Sequence, residues 1–245
     1  MSDVKILRGG VPLGIVRRGG AAEAIAAPAT GSHHRAMHRI RLEPGGETAT
    51  MRHPVEAVYF VAEGDGAVGG QPLEARRMVY VPRRTSYAFT AETAMTIYGG
   101  PCPPDPALYE DGAAAPEGES EGPVRVFDAE TEGVPLPTIG KGARLVVWPG
   151  VGAEIATMNM AILEPGEENQ PHAHEESDDT IAILEGEGSI DDLDAGTTHD
   201  FAAGDVVFVS AGTRHKVKAD KGVRIVSAGG PCPPDYGMLR ALGLA

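Results

Sequence analysis

Short apolar runs of strand length, each closed by a turn residue, recur along the chain. Tyr59–Gly66 reads YFVAEGDG and Ala182–Gly188 reads AILEGEG; Met78–Pro82 reads MVYVP and Val206–Ser210 reads VVFVS. Runs of this length bounded by glycine and proline predict strands rather than helices. The tail Asp235–Ala245 (DYGMLRALGLA) has the spacing of one short helix, whose Leu and Met side chains would dock on the body of the protein. Composition supports this division. The 245 residues include 33 Gly and 20 Pro, and aromatics make up 5%, which favours short strands joined by tight turns. The predicted class is all-β with a short C-terminal helix.

The pattern occurs twice. GVPL stands at Gly10–Leu13 and Gly133–Leu136, LEPG at Leu42–Gly45 and Leu163–Gly166, and GGPCPPD at Gly99–Asp105 and Gly229–Asp235. Three markers in one order at nearly constant offset mark an internal duplication. The expected division is a first copy over 1–109, an acidic Pro/Gly/Ala connector over 110–132, and a second copy over 133–245. The composition of the connector predicts flexibility.

Candidate chemistry is concentrated in the second copy. His172 and His174 stand two apart, Asp179 follows, and His215 lies on a later element. Residues i and i+2 of an extended segment share a face, so two imidazoles can point at one ion. Three nitrogens and one carboxylate oxygen suit Fe, Mn, Ni, Cu or Zn better than Ca or Mg. The spacing Gly166-x5-His172-x-His174-x4-Asp179-x6-Gly186 resembles the first motif of the cupin family, with Asp179 where the family has Glu. Gly204, Gly212 and His215 resemble the second motif, with Ser210 and Ala219 replacing its Pro and Asn. The resemblance implies two tandem double-stranded β-helix (jelly-roll) barrels, a bicupin. It also implies one divalent transition metal in the second barrel, held by His172, His174, Asp179 and His215. Asp179 is one methylene shorter than Glu, which leaves a three-histidine site with Asp179 behind it as an alternative.

Aligning the copies places Met51 opposite His172, His53 opposite His174, Ala57 opposite Asp179 and Tyr87 opposite His215. The first barrel is therefore expected to hold no metal, and its role is expected to be structural. Glu56, beside the lost carboxylate position, should turn away from the barrel interior. Other polar candidates read more simply. His33, His34 and His38 suit a solvated approach to a strand. His199 suits a loop. Asn169 and Gln170 suit a turn, Asp178 belongs to an acidic loop, and Arg214 faces outward.

Net charge is −14, with no basic stripe for nucleic acid and no apolar run of membrane-spanning length. The N-terminus lacks the apolar core of a signal peptide, so cytoplasmic residence is expected. Cys102 and Cys232 occupy matching places in the repeat and read as small buried residues. No nucleophile elbow, phosphate loop or dinucleotide fingerprint is visible. Any reaction would then fall to the metal. The first expectation is an Fe(II)-type dioxygenase of a small chelating organic substrate. Alternatives are a Mn-, Ni- or Zn-dependent isomerase, decarboxylase or lyase, a binding barrel without turnover, or a metal that only braces the fold. The expected partner is a small molecule, and the chain would be a monomer or a homodimer paired through a sheet edge or terminal segment.

Overall fold

The computed structural model describes residues 3–109 and 117–244. Residues 110–116 of the expected connector lie outside that range. Within it the chain is all-β, apart from short 3-10 turns and one helix, Tyr236–Ala241. Among the described residues, nine strands of the first copy and Arg125–Asp128 form a ten-stranded sheet that curls around its own core. Six strands of the second copy and Val4–Leu7 form a seven-stranded sheet that faces a three-stranded one.

Strand Glu56–Glu63 shows how the sequence builds this. Successive side chains alternate faces. Ala57, Tyr59 and Val61 point into the core of the first barrel, while Val58 and Phe60 point the other way, into a second core. A strand buried on both faces reads as a continuous apolar run, as YFVA does. The second core is the seam between the barrels. Val58, Phe60, Met78 and Tyr80 pack there against Val146, Val147, Met158 and Met160. Phe60 and Met78 are fully buried, and burial of each contributes about 1.5–3 kcal/mol relative to exposure. A third core, with Ile183, Ile190, Phe201 and Val207, fills the second barrel.

The glycines that close the apolar runs match between copies. Gly64 has φ 85° and Gly186 φ 81°. A Cβ on Gly64 would fall 2.1 Å from the Ala94 carbonyl oxygen, and one on Gly186 would fall 2.0 Å from that of Arg224. Only glycine fits either turn.

The barrels hold each other reciprocally. Glu56 does turn out of its barrel, and it is 3% exposed. It accepts hydrogen bonds from the backbone N–H groups of Glu154, Ile155 and Ala156 at 2.7–2.8 Å and from the Tyr80 hydroxyl at 2.6 Å. In the second barrel the residue before Asp179 does the same in reverse. Asp178 accepts from Ser32 Oγ and the His33 N–H at 3.0 and 2.9 Å and pairs with the His34 ring. A buried carboxylate needs such partners. Each barrel thus supplies an anion to the loop of the other.

The expected division needs amendment at two places. Val4–Leu7 pairs antiparallel with Val206–Val209, so the chain begins in the sheet of the second barrel. Arg125–Asp128, inside the expected connector, pairs with Arg77–Met78–Val79–Tyr80 of the first barrel. Each covers an edge that would otherwise leave its N–H and C=O groups unpaired. The connector contains a strand because VRVF alternates sides, a signal hidden by its acidic surroundings.

Candidate metal centre

His172 and His215 form a two-way backbone bridge, His172 N–H to His215 O at 3.2 Å and His215 N–H to His172 O at 2.9 Å. His174 follows on the same extended segment and is anchored by the Gly212 N–H, which donates to its carbonyl at 2.8 Å. The three rings converge, with centroids 4.3, 4.9 and 5.7 Å apart. One ligand atom from each lies within 4.8 Å of the others.

Each ring is held the same way round. Nδ1 of His172 donates to the Gln170 carbonyl at 2.8 Å, Nδ1 of His174 to the Asp235 carboxylate at 3.0 Å, and Nδ1 of His215 to the Thr213 carbonyl at 3.0 Å. An acceptor at Nδ1 fixes the proton there and leaves the lone pair on Nε2. His215 Nε2 is buried with no hydrogen-bond partner, as is Asp179 Oδ1. The other Asp179 oxygen lies 3.7 Å from His174 Nε2 and 3.8 Å from His215 Nε2. Buried acceptors left without a partner, beside a carboxylate oxygen that faces two imidazole nitrogens, are costly unless something positive lies among them. The donor set therefore fits one divalent transition-metal ion.

Burial, followed by the neighbouring His215 and His174 rings, pushes His172 down to about 4, so it is neutral at pH 7. Burial also lowers His215, against the opposing charge of Asp179. For His174 burial acts downward, but the bond to Asp235 and the charge of Asp179 outweigh it and raise it.

The four residues singled out in the second copy thus come together. The three histidines meet at distances that one ion can span, and Asp179 faces two of them at longer range. A cavity of about 40 Å³ adjoins them, lined by Asn159, Asn169, Ser227, Ile181 and Met238 among others, with no Lys or Arg. Asn169 Oδ1 accepts from the Val217 N–H at 2.8 Å, which makes it a buried brace as well as a lining residue.

Sequence reasoning missed Asp235. Its Oδ1 caps the C-terminal helix through the Met238 N–H at 2.9 Å while its Oδ2 holds His174. The tail therefore bears on the site through Asp235 and Met238. The available signal was the repeated GGPCPPD, which ends in Asp in both copies. Other expectations need correction. His38 is fully buried, bonded to the Tyr109 hydroxyl at 2.7 Å. His34 pairs with Asp178, so only His33 of that group is exposed. His199 lies on strand Thr197–Ala202, half-buried, bonded to Thr197.

In the first barrel Met51 and Tyr87 form the matching bridge. His53 has both nitrogens engaged, Nδ1 with Asp105 at 2.6 Å and Nε2 with the Tyr87 hydroxyl at 2.9 Å. Tyr59 and Phe89 pack on the Tyr87 ring. This donor set does not fit a metal.

Residues 159–228 match the family model of the Cupin domain, so the second barrel carries a cupin domain. The fold of the whole chain is similar to that of solved oxalate decarboxylases. A tryptophan-to-tyrosine variant from Bacillus subtilis matches with TM-score 0.72 at 15% identity, over 96% of this chain and 78% of that one. A two-residue deletion variant of the same enzyme matches with TM-score 0.71 at 15% identity over the same shares. A third structure, of that enzyme studied for its Mn(II) centres, gives 0.70 at 15% identity, again over 96% and 78%. The chain thus has a two-barrel bicupin fold. No curated protein matches it by sequence. Among the described residues, no helix is long and apolar enough to cross a membrane.

Proposed function

We propose that the protein is a metal-dependent enzyme whose reaction centre is the second barrel. His172, His174 and His215 would hold one divalent transition metal through Nε2, with Asp179 as a fourth ligand or a close anionic neighbour. The observation that carries this reading is the set of three proton-locked imidazoles facing Asp179 beside a small cavity. When bound, the ion would supply Lewis-acid polarisation of a chelating oxygen and, if redox-active, electrons for dioxygen chemistry.

The residues of the chain set the terms for a substrate. Gln170, Thr213 and Asp235 keep the Nδ1 protons in place. Ile181, Val217 and Met238 exclude bulk water, and Asn159 and Ser227 offer hydrogen bonds. A cavity of about 40 Å³ without a cationic side chain suits a small, oxygen-rich molecule whose negative charge is met by the metal alone. The cavity contains no acid or base besides the histidines and Asp179. A reaction carried by metal and dioxygen asks least of such a site, so we favour an Fe(II)-type dioxygenase. The fold likeness to oxalate decarboxylase, an enzyme with Mn(II) centres, favours a second reading: redox-neutral decarboxylation of a small carboxylic acid. We take the protein to act in the cytoplasm on a small molecule, without nucleic acid or membrane.

The test is turnover of a panel of small 2-oxo acids, enolisable diketones and dicarboxylic acids by Fe(II)- and Mn(II)-loaded protein, with and without air. Dioxygen uptake matched to substrate loss supports the first reading. Carbon dioxide release with Mn(II) in a redox-neutral reaction supports the second. No turnover with either metal would leave a binding barrel.

A further inference from the structure

The seam between the barrels contains a group that neither reading uses. Arg35 is 1% exposed, and its three guanidinium nitrogens have no hydrogen-bond partner. An arginine does not shed its proton in a protein, and a buried unpaired charge is strongly destabilising. A counter-charge is therefore required beside it. The seam core contains two thiols, one from each barrel. Cys102 ends strand Met95–Cys102 and Cys232 follows strand Ile225–Pro231; both are fully buried in the seam core and both are free. The Ala36 N–H donates to the Pro101 carbonyl at 3.0 Å, which sets residue 35 beside residue 102. Cys102 pairs in register with Glu56, whose carboxylate holds the Ile155 N–H, and the Cys232 thiol sits on the Ile155 carbonyl, so both cysteines flank one short stretch of the seam.

The two sulfurs are not equivalent. Cys232 Sγ has a carbonyl to donate to, that of Ile155 at 3.2 Å. Cys102 Sγ has only the Gly100 carbonyl at 3.8 Å, a contact too long to hold a proton firmly. Glu56 and Tyr59 are the other titratable groups that bear on Cys102. Burial and Glu56 act upward on its thiol, but Cys232 and the Arg35 charge outweigh them and lower it, whereas burial drives Cys232 up. The duplication sharpens the point. The position corresponding to Arg35 in the second copy is Ala156, so the charge exists once, on one side of a pair of matched cysteines.

We propose that Arg35, Cys102 and Cys232 form a peroxide-sensitive thiol site that can cross-link the two barrels, with Cys102 as the nucleophile and Cys232 as the resolving thiol. The oxidant is hydrogen peroxide, small and neutral enough to enter a seam that larger reagents do not. The Cys102 thiolate attacks one peroxide oxygen, and an S–O bond forms as the O–O bond breaks. The leaving hydroxide recovers from solvent the proton that Cys102 had given up. Cys232 then attacks the sulfenic sulfur, and its proton leaves with the displaced hydroxyl as a second water. Two thiols and one peroxide give one disulfide and two waters. Because both sulfurs are buried, the reaction proceeds through a small, rapidly exchanging open population of the seam, so its rate depends on that population and on the reactivity of the thiolate.

The experiment uses the full chain, treated with hydrogen peroxide, quenched, and alkylated under denaturing conditions before intact-mass measurement. Parent protein is expected to lose two hydrogens and accept no alkyl group, while untreated protein accepts two. Cys232→Ser should instead gain oxygen at Cys102, and Cys102→Ser should be inert at the same dose. Arg35→Met, which keeps the bulk and removes the charge, should form the disulfide at least about tenfold more slowly, on the thiolate dependence of the attack. The pH at which thiolate absorbance near 240 nm rises, lower in parent and Cys232→Ser than in Cys102→Ser, reads the effect of Arg35 without any oxidant. Parent protein that keeps two alkylatable thiols after peroxide, or whose thiolate absorbance rises at the same pH as that of Cys102→Ser, would overturn the proposal.

Discussion

The two barrels are built on one plan, and they differ in what occupies four positions of it. Met51, His53, Ala57 and Tyr87 in the first correspond to His172, His174, Asp179 and His215 in the second, and the backbone bridge between the first and last member is kept in both. Even the support is kept, since Asp105 holds His53 as Asp235 holds His174. What changes is the destination of the outer imidazole nitrogen. In the first barrel His53 Nε2 ends on a tyrosine hydroxyl within a packed aromatic group. In the second, His215 Nε2 has no protein partner. The lesson is that a metal site in this scaffold is defined less by the presence of histidine than by the absence of anything else for it to bind.

Substitutions separate the two barrels by effects of graded size. The largest effect is expected at the ligands themselves. His172→Ala or His215→Ala should weaken metal binding by on the order of 100-fold or more, since loss of a mere support already costs about 10–100-fold. Equilibrium competition against a chelating dye checks this, with the circular dichroism spectrum unchanged. Next comes the support. Asp235→Asn should lower affinity by about 10–100-fold, while Asp105→Asn should leave it untouched. Asp179→Ala distinguishes a ligand from a neighbour: retained tight binding would leave three histidines as the whole set.

A smaller effect is expected in the first barrel. Tyr87→Phe strips the partner from His53 Nε2 and from the Tyr59 hydroxyl, which lies 2.6 Å from it. It should cost about 1–3 kcal/mol in denaturant unfolding, with metal affinity unaltered. The smallest effect is a pH dependence. Burial, then the charge of His53, holds His38 down to about 3 from an ordinary 6.5. Between those values the unfolded chain binds a proton that the folded chain does not, so stability falls as pH drops below about 6.5. His38→Asn, which copies Asn159 of the other barrel, should flatten the acid side of a melting-temperature profile. An unchanged slope would show that His38 is not the group responsible.

Much of this was legible in the sequence, for physical reasons that can be named. The duplication, the strand runs and the His172–His174–Asp179–His215 set depend on local spacing, and spacing is what a sequence displays. The outward turn of Glu56 followed from alternation alone. Three things were not legible. The exchange of Val4–Leu7 and Arg125–Asp128 between barrels depends on which sheet edge is free, a property of the assembled fold. The burial of His38 depends on a tyrosine 71 residues away. The role of Asp235 depends on a chain reversal that brings the tail back to His174, although the repeated CPPD motif did mark the residue.

The second barrel is expected to bind one ion and the first barrel none. Elemental analysis of untagged protein reconstituted with Fe(II), Mn(II), Ni(II) or Zn(II), beside His53→Ala and His215→Ala, tests it most directly. One ion per chain is expected in the parent, one in His53→Ala and none in His215→Ala. Two ions in the parent, loss of the ion in His53→Ala, or no ion under any reconstitution would contradict it.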